Sequence, residues 1–388
     1  RRRLPVDERR VYSGGFSGGA RVASLVPGVV GRAIAGIIGC GAGLAGGLEP
    51  GEVRAAGYFG LTGLSDFNYE EMRRLDRAFD PTGLAHRFLF FEGGHDWPDP
   101  AFCARAVEWL EVAAMKAGLR PKDQALVQAA VARELDEAGS FERAGRVYWA
   151  VDRLEAAAAL AAGLEDVPGL QERIAGLRSH RDYATFVRAE ARRAERAADF
   201  RREFGGAFGA VEDDEAGGGA AVGAVLQELR IGILKREARS AKTPEARELA
   251  SRLLFDFSFA AQARAMDLYA ARDLVRAGAY FDLAIAACEA GLPRERYLYF
   301  NRACVAALAG DKRGALKFLS TAADKGFADA EALETSEPLR SVRDTDAFRE
   351  IVRRIKKGSN PNSLTIESPH AVRPAWPKPK GSDPAPAH

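Results

Sequence analysis

The sequence predicts two fold classes in one chain: an α/β unit over residues 1–118 and an all-α region of repeated helices over residues 119–357. Two observations carry this reading. Between residues 10 and 97, short apolar or β-branched runs alternate with Gly-rich breaks. From Pro121 onward the composition turns to Ala, Glu, Arg and Leu at helical period, with almost no strand signal through Lys357. At 388 residues the chain also exceeds the roughly 100–200 residues of one ordinary domain.

In the first part, the runs Arg10–Ser13, Ile34–Cys40, Ala56–Thr62 and Arg87–Phe91 read as buried strands of a mostly parallel sheet. Helical patterns over Arg21–Val26 and Glu70–Phe79 separate the first two and the last two, an order that specifies α/β. A helix over Pro100–Ala117 closes the unit. The second part divides into helices over 119–204, a flexible Gly-rich loop over 205–223 with the acidic insert Glu212–Glu215, and helices over 224–357. Residues 358–388 are rich in Pro, Ser and Lys and form a tail without a core.

Sustained heptads are missing from the helical region, which argues against a coiled coil. Gly139, Phe141, Ala144, Tyr148 and Val151 instead follow one another at offsets of 2, 5, 9 and 12, and Gly310, Ala315, Leu319 and Ala322 reproduce the Gly-to-small, large and small spacing. A third set, Gly278, Tyr280 and Ala284, is one residue out of step. This pattern resembles the tetratricopeptide repeat, best over Tyr299–Phe327, where Tyr299 and Asn301 also match. The resemblance implies antiparallel helix pairs over 121–355, Ala144 and Ala315 buried where helices cross, and a module that docks a protein partner or a second copy.

Composition narrows the function classes. Fifty-six Lys and Arg against 54 Asp and Glu, mixed along the helices, leave no basic stripe for nucleic acid; Arg1, Arg2, Arg3, Arg9 and Arg10 read as a solvated segment. Cys40, Cys103, Cys288 and Cys304 lack CxxC spacing, so they are expected to be free thiols and not zinc ligands or a disulfide framework. No run of about 18 apolar residues spans a membrane. No P-loop, HExxH or EF-hand spacing occurs, and no metal or cofactor is expected. Gly41, Gly43 and Gly46 match GxGxxG, but Pro50 and the strand at Ala56 leave no room for a crossover helix, which reduces the match to a tight loop. The chain has no initiator Met and opens within the α/β unit, so it is expected to be a fragment whose localisation cannot be read.

Gly15-Phe-Ser17-Gly-Gly19 is GxSxG with a strand leading in and a helix leading out, the context in which a serine is held on a strained turn and its neighbours must be tiny. Its ordinary alternative is a Gly-rich turn with an incidental serine. A base must come from another strand end, and His95 follows Arg87–Phe91 across Glu92-Gly-Gly94; His86, His180, His370 and His388 have no such address. Asp66 stands just past the strand at Ala56 and is the expected acid, to accept the His95 Nδ1–H and stabilise the imidazolium, with Asp80, Glu92 and Asp96 as alternatives. Phe16, Phe67, Tyr69 and Trp97 flank these residues and are candidates for an apolar substrate pocket.

Taken together, TyrSerGlyGlyPheSerGlyGlyAlaArg, GlyLeuThrGlyLeuSerAsp and PheGluGlyGlyHisAspTrpPro, in the order Ser, Asp, His, resemble the esterase branch of the α/β-hydrolase superfamily, close to dienelactone hydrolases and polyhydroxybutyrate-depolymerase-like esterases. The resemblance covers residues 4–117, the C-terminal half of such a domain, and departs from it at Phe67-Asn68-Tyr69, where Pro often follows the acid. It implies Ser17 as nucleophile, Asp66 as acid, His95 as base, the Gly18 N–H as oxyanion donor and a second donor upstream of Arg1, so that the fragment alone is expected to be inactive. The expected substrate is a small ester with an apolar part. The other reading is a non-catalytic repeat scaffold with a degenerate hydrolase portion.

Overall fold

The computed structural model describes residues 6–31, 33–213, 219–288 and 294–358. By contact the chain forms two compact units, 1–196 and 197–388, so the helices expected to begin a separate region at 119 start inside the first unit.

The first unit holds a small parallel sheet, β1 (Tyr12–Phe16), β2 (Gly36–Cys40), β3 (Gly57–Gly63) and β4 (Ala85–Phe91), hydrogen-bonded in that order. Its helices are α1 (Gly18–Val29), α2 (Tyr69–Phe79), α3 (Pro100–Lys116), α4 (Gln124–Arg143), α5 (Val147–Ala161) and α6 (Leu170–Arg178). The two-residue period of a strand sorts side chains to opposite faces. Tyr58, Phe88 and Phe90 pack with Ala23, Met72 and Phe79 of α1 and α2, whereas Phe59, Leu61, Leu89 and Phe91 pack with Ala106 of α3. Both faces of the sheet are thereby covered, as a parallel sheet requires. The predicted strands are all present, but β1 begins at Tyr12 and runs through Gly14, Gly15 and Phe16, later than the Arg10–Ser13 expected.

α4 and α5 form a hairpin beside β4. Trp149 approaches Phe90, with ring centroids 6.4 Å apart, and Arg87 of β4 makes a two-pronged ion pair with Asp152 of α5 at 2.8 and 2.6 Å. Arg73 of α2 bonds the Tyr148 hydroxyl. Burial alone would push the Asp152 carboxyl up, but the Arg87 and Arg153 guanidiniums outweigh it and hold it at about 2.

The repeat frame at Gly139 is corrected by the structure. Gly139 lies inside α4, the turn falls at Gly145 with φ of 69°, and Ala144 caps the helix at an exposed position instead of a buried crossing. The reason is geometric: in an Ala-rich helix a small residue meets no steric test, and a Cβ added at Gly139 would meet only the far end of Arg143. At Gly310 the turn has φ of 86°, and Ala315, Leu319 and Ala322 are buried.

In the second unit, α7 (Arg181–Glu212), whose second half belongs here, is followed by α8 (Gly219–Glu228), α9 (Ile231–Ser240), α10 (Pro244–Ala270) and α11 (Leu274–Ala287). Then come α12 (Glu295–Leu308), α13 (Lys312–Asp324), α14 (Ala330–Thr335) and α15 (Asp346–Gly358). The loop expected over 205–223 is helical at 205–212 and 219–223; residues 214–218, with part of the acidic insert, lie outside the described residues. Phe204 and Val211 are buried and Phe208 packs beside them, tilted against Phe257 and edge-on to Tyr280. Each interior Gly costs a helix about 1 kcal/mol, less than the roughly 1.5–3 kcal/mol from burying one large apolar side chain. The tail from 359 onward lies outside the described residues. Among the described residues no helix is long and apolar enough to cross a membrane, and no disulfide joins Cys40, Cys103, Cys288 or Cys304.

Three outcomes are expected of denaturant melts. Ala315→Leu should overpack the α12–α13 crossing and cost about 1–3 kcal/mol, whereas Ala144→Leu at its exposed cap should stay within about 0.5 kcal/mol of the parent. Asp152→Asn, which leaves the half-buried Arg87 without its two-pronged carboxylate partner, should cost about 2–3 kcal/mol.

Candidate active site

The parallel register brings three loops to one edge of the sheet. Phe16 pairs with Cys40, Cys40 with Leu61, and Gly63 with Phe91, so the residues that follow each strand emerge side by side. Ser17 follows β1, Gly41 follows β2, Asp66 lies three residues past β3 and His95 four residues past β4.

Ser17 has φ of 53° and ψ of −121°, one of three non-glycine residues with positive φ among the described residues. Such a conformation costs an L-residue of order 1–3 kcal/mol and persists only where its surroundings fix it. Here the Ser17 N–H donates to the Cys40 carbonyl at 2.8 Å, and its own carbonyl accepts from Ala20 and Arg21. Gly15 is required by this turn, since a Cβ there would lie 2.2 Å from the Gly19 carbonyl oxygen. Gly19, expected to be equally constrained, has open space where its Cβ would be; only the strand-side glycine is pressed by the returning helix.

The three expected residues form one hydrogen-bonded chain. Ser17 Oγ lies 3.0 Å from His95 Nε2, and His95 Nδ1 lies 2.9 Å from both oxygens of Asp66. Asp66 is 1% exposed and His95 5%. Burial raises the Asp66 carboxyl above its ordinary range, while the bonds from His95 and the Asn68 N–H pull it down. The alternative acids are elsewhere: the Glu92 side chain is 87% exposed and faces Arg146, Asp96 is exposed, and Asp80 lies 3.5 Å from His86.

The His95 ring is held between Phe16 and Phe67, with centroid distances of 4.8 and 4.6 Å, and Trp97 leans on Phe16 at 5.2 Å while remaining half exposed. Tyr69, expected with them, is instead a core residue packed edge-on to Phe90, because it opens α2 on the face turned to the sheet. As the first residue of α1, Gly18 carries an N–H that no carbonyl of that helix accepts, at the positive end of the helix dipole and next to the serine. Such a donor suits an oxyanion formed at Ser17.

Two contributors were not singled out from sequence. Asn68 is buried, donates its side-chain N–H to the Gly41 carbonyl at 2.7 Å, and donates its backbone N–H to Asp66 at 2.8 Å. Gly41, dismissed with its GxGxxG match as a loop glycine, lies against the site: a Cβ there would approach Phe16 at 2.8 Å, Asp66 at 3.2 Å and His95 at 3.3 Å. An Asp-x-Asn spacing was the only sequence cue, and its partner is 27 residues away. Arg21 and Glu71 clamp the same loop: Arg21 donates to the Leu44 carbonyl and to Glu71, which also accepts the Gly43 N–H. Among the described residues no cluster of His, Cys, Asp and Glu could hold a metal.

If this hydrogen-bonded chain is catalytic, Asn68→Ala, which removes the tie to Gly41 but keeps the backbone bond to Asp66, should lower kcat about 10-fold to 100-fold at little cost in KM. Asp66→Asn should cost about 10⁴ by offering His95 the wrong tautomer. Steady-state kinetics with one short ester, on a longer form of the chain that supplies the second oxyanion donor, checks both. No family model, curated protein or solved structure matches the chain.

Proposed function

We propose that this protein is a serine hydrolase of the α/β-hydrolase type that cleaves small carboxylic esters, with its helical region acting as a tetratricopeptide-like module for a protein partner or a second copy. One observation carries the enzymatic reading: an unbroken hydrogen-bonded chain from a strained serine through His95 to a buried carboxylate.

In the proposed reaction Ser17 Oγ attacks the ester carbonyl as His95 Nε2 takes its proton, and Asp66 stabilises the imidazolium through Nδ1–H. The tetrahedral oxyanion takes the Gly18 N–H. Its collapse expels the alcohol, which leaves with the proton from His95. A water, deprotonated by the same imidazole, then attacks the acyl-enzyme, and collapse releases the acid as His95 returns the proton to Ser17 Oγ. Phe67 and Trp97, beside the base and partly open to solvent, fit an ester with an apolar part. The repeat reading draws on the α12–α13 pair, whose Gly310 turn and buried Ala315 fit the spacing of that family.

Because the resemblance leaves this chain with one oxyanion donor and little expected turnover, hydrolysis of a short aryl ester by a longer form that supplies the second donor, together with labelling by a serine-directed phosphonate, tests the enzymatic reading. Label should be recovered on the peptide bearing Ser17, and Ser17→Ala should reduce turnover by at least about a thousandfold. Ser13→Ala should leave turnover within a few-fold, because the Ser13 hydroxyl is committed to the Ala23 carbonyl at 2.9 Å. Label on another residue, or activity that survives Ser17→Ala, would overturn the proposal.

A further inference from the structure

Beside the triad, and lined by none of its members, lies a cavity of about 320 Å³. Its walls come from both parts of the first unit: Leu64, Phe91 and Phe102 from the sheet side, Phe141 and Trp149 from the α4–α5 hairpin. Phe91 and Phe102 stack at 5.0 Å. The Arg146 guanidinium lies over Phe141 at 5.0 Å and over Trp149 at 5.9 Å, and faces Glu92 at 4.0 Å. An apolar cavity of about 150 Å³ already accepts a benzene ring, so this one is roomy enough for a substituted arene.

Its inner end is polar. Arg153 lines it with a side chain only 3% exposed; Nε and Nη1 of that guanidinium make no hydrogen bond, with Glu137 and Glu134 standing 3.6 Å from them, while Nη2 lies 3.4 Å from Asp152. Glu134 Oε2 is likewise without a hydrogen bond. A buried donor left unpaired is costly, and one beside a cavity marks where a ligand oxygen gains most.

Charge selects the ligand class. The guanidiniums of Arg87, Arg105, Arg146 and Arg153 are matched by the carboxylates of Glu92, Glu134, Glu137 and Asp152, through the pairs Arg87–Asp152, Arg105–Glu137, Arg153–Glu134 and Arg146–Glu92. A charged guest would unbalance this cluster, whereas a neutral ring with one hydroxyl would not. We propose that this cavity is a second small-molecule site, for a neutral hydroxyl-bearing arene of the phenol class. The ring lies among Phe91, Phe102, Phe141 and Trp149, and the hydroxyl oxygen accepts from Arg153. The site goes beyond the esterase reading and does not depend on it.

The test uses the full chain with Ser17→Ala, labelled with 5-fluorotryptophan and titrated with 4-cresol, which is uncharged at neutral pH. The ¹⁹F resonance of Trp149, assigned by Trp149→Phe, should shift saturably. Phe141→Ala, which removes one wall, and Arg153→Lys, which keeps the charge but loses the planar donor, should each weaken binding at least fivefold while the circular dichroism spectrum is retained. No shift at Trp149, a shift confined to Trp97 beside the triad, or unchanged affinity in both folded variants would overturn the proposal.

Discussion

The in-step register of four parallel strands is the constraint on which the site depends. β1 ends level with β2 and β3 level with β4, two residues further along, so residues 17, 41, 66 and 95, far apart in sequence, share one edge of the sheet. A slip of one residue in any strand would turn its side chains to the opposite face and carry its loop out of reach. The register is in turn fixed by packing on both faces, with Tyr58 and Phe88 against one helical layer and Phe59 and Leu89 against the other. Loop-to-loop bonds then complete the alignment. Leu64 donates to the Phe91 carbonyl and Ser65 to the Gly93 carbonyl, joining the segment that carries the acid to the one that carries the base. Gly63 permits that approach, since a Cβ there would lie 2.4 Å from the carbonyl oxygens of both Gly93 and Gly94.

Much of this was legible because the signals are local. A buried parallel strand reads as an apolar run, and a serine between glycines after such a run reads as a turn into a helix, which is how Ser17, Asp66 and His95 emerged. What escaped was whatever depends on a distant partner. The amide of Asn68 acquires its meaning from the Gly41 carbonyl, and Tyr69 belongs to the core because of where Phe90 lies. The helical region shows the opposite error. Its Ala-rich helices satisfy a small-residue frame at several offsets, so Gly139 fitted the spacing while the turn formed at Gly145. Gly205, Gly206 and Gly209 suggested a loop, yet the phenylalanines spaced four apart between and before them decided for helix.

Ser17 and Arg153 illustrate two ways in which a fold holds an unfavourable group. The serine keeps a backbone conformation that side chains avoid, fixed by hydrogen bonds to β2 and α1. The arginine is surrounded by carboxylates yet leaves two of its nitrogens without a hydrogen bond, with burial drawing its pKa down. Both lie next to open space, the first beside the Gly18 N–H and the second beside an aromatic cavity.

The ion pair between Arg87 and Asp152 joins a strand of the sheet to a helix of the following hairpin across 65 residues of chain. Drift at either position is therefore not independent. An Arg87 lost alone strands a carboxylate held far below its usual range, and an Asp152 lost alone strands a guanidinium. Lineages descended from this chain should keep both residues or exchange both together for an apolar pair, and the hairpin, once joined to the sheet by such a contact, cannot be traded for an unrelated helical module without rebuilding the strand it covers.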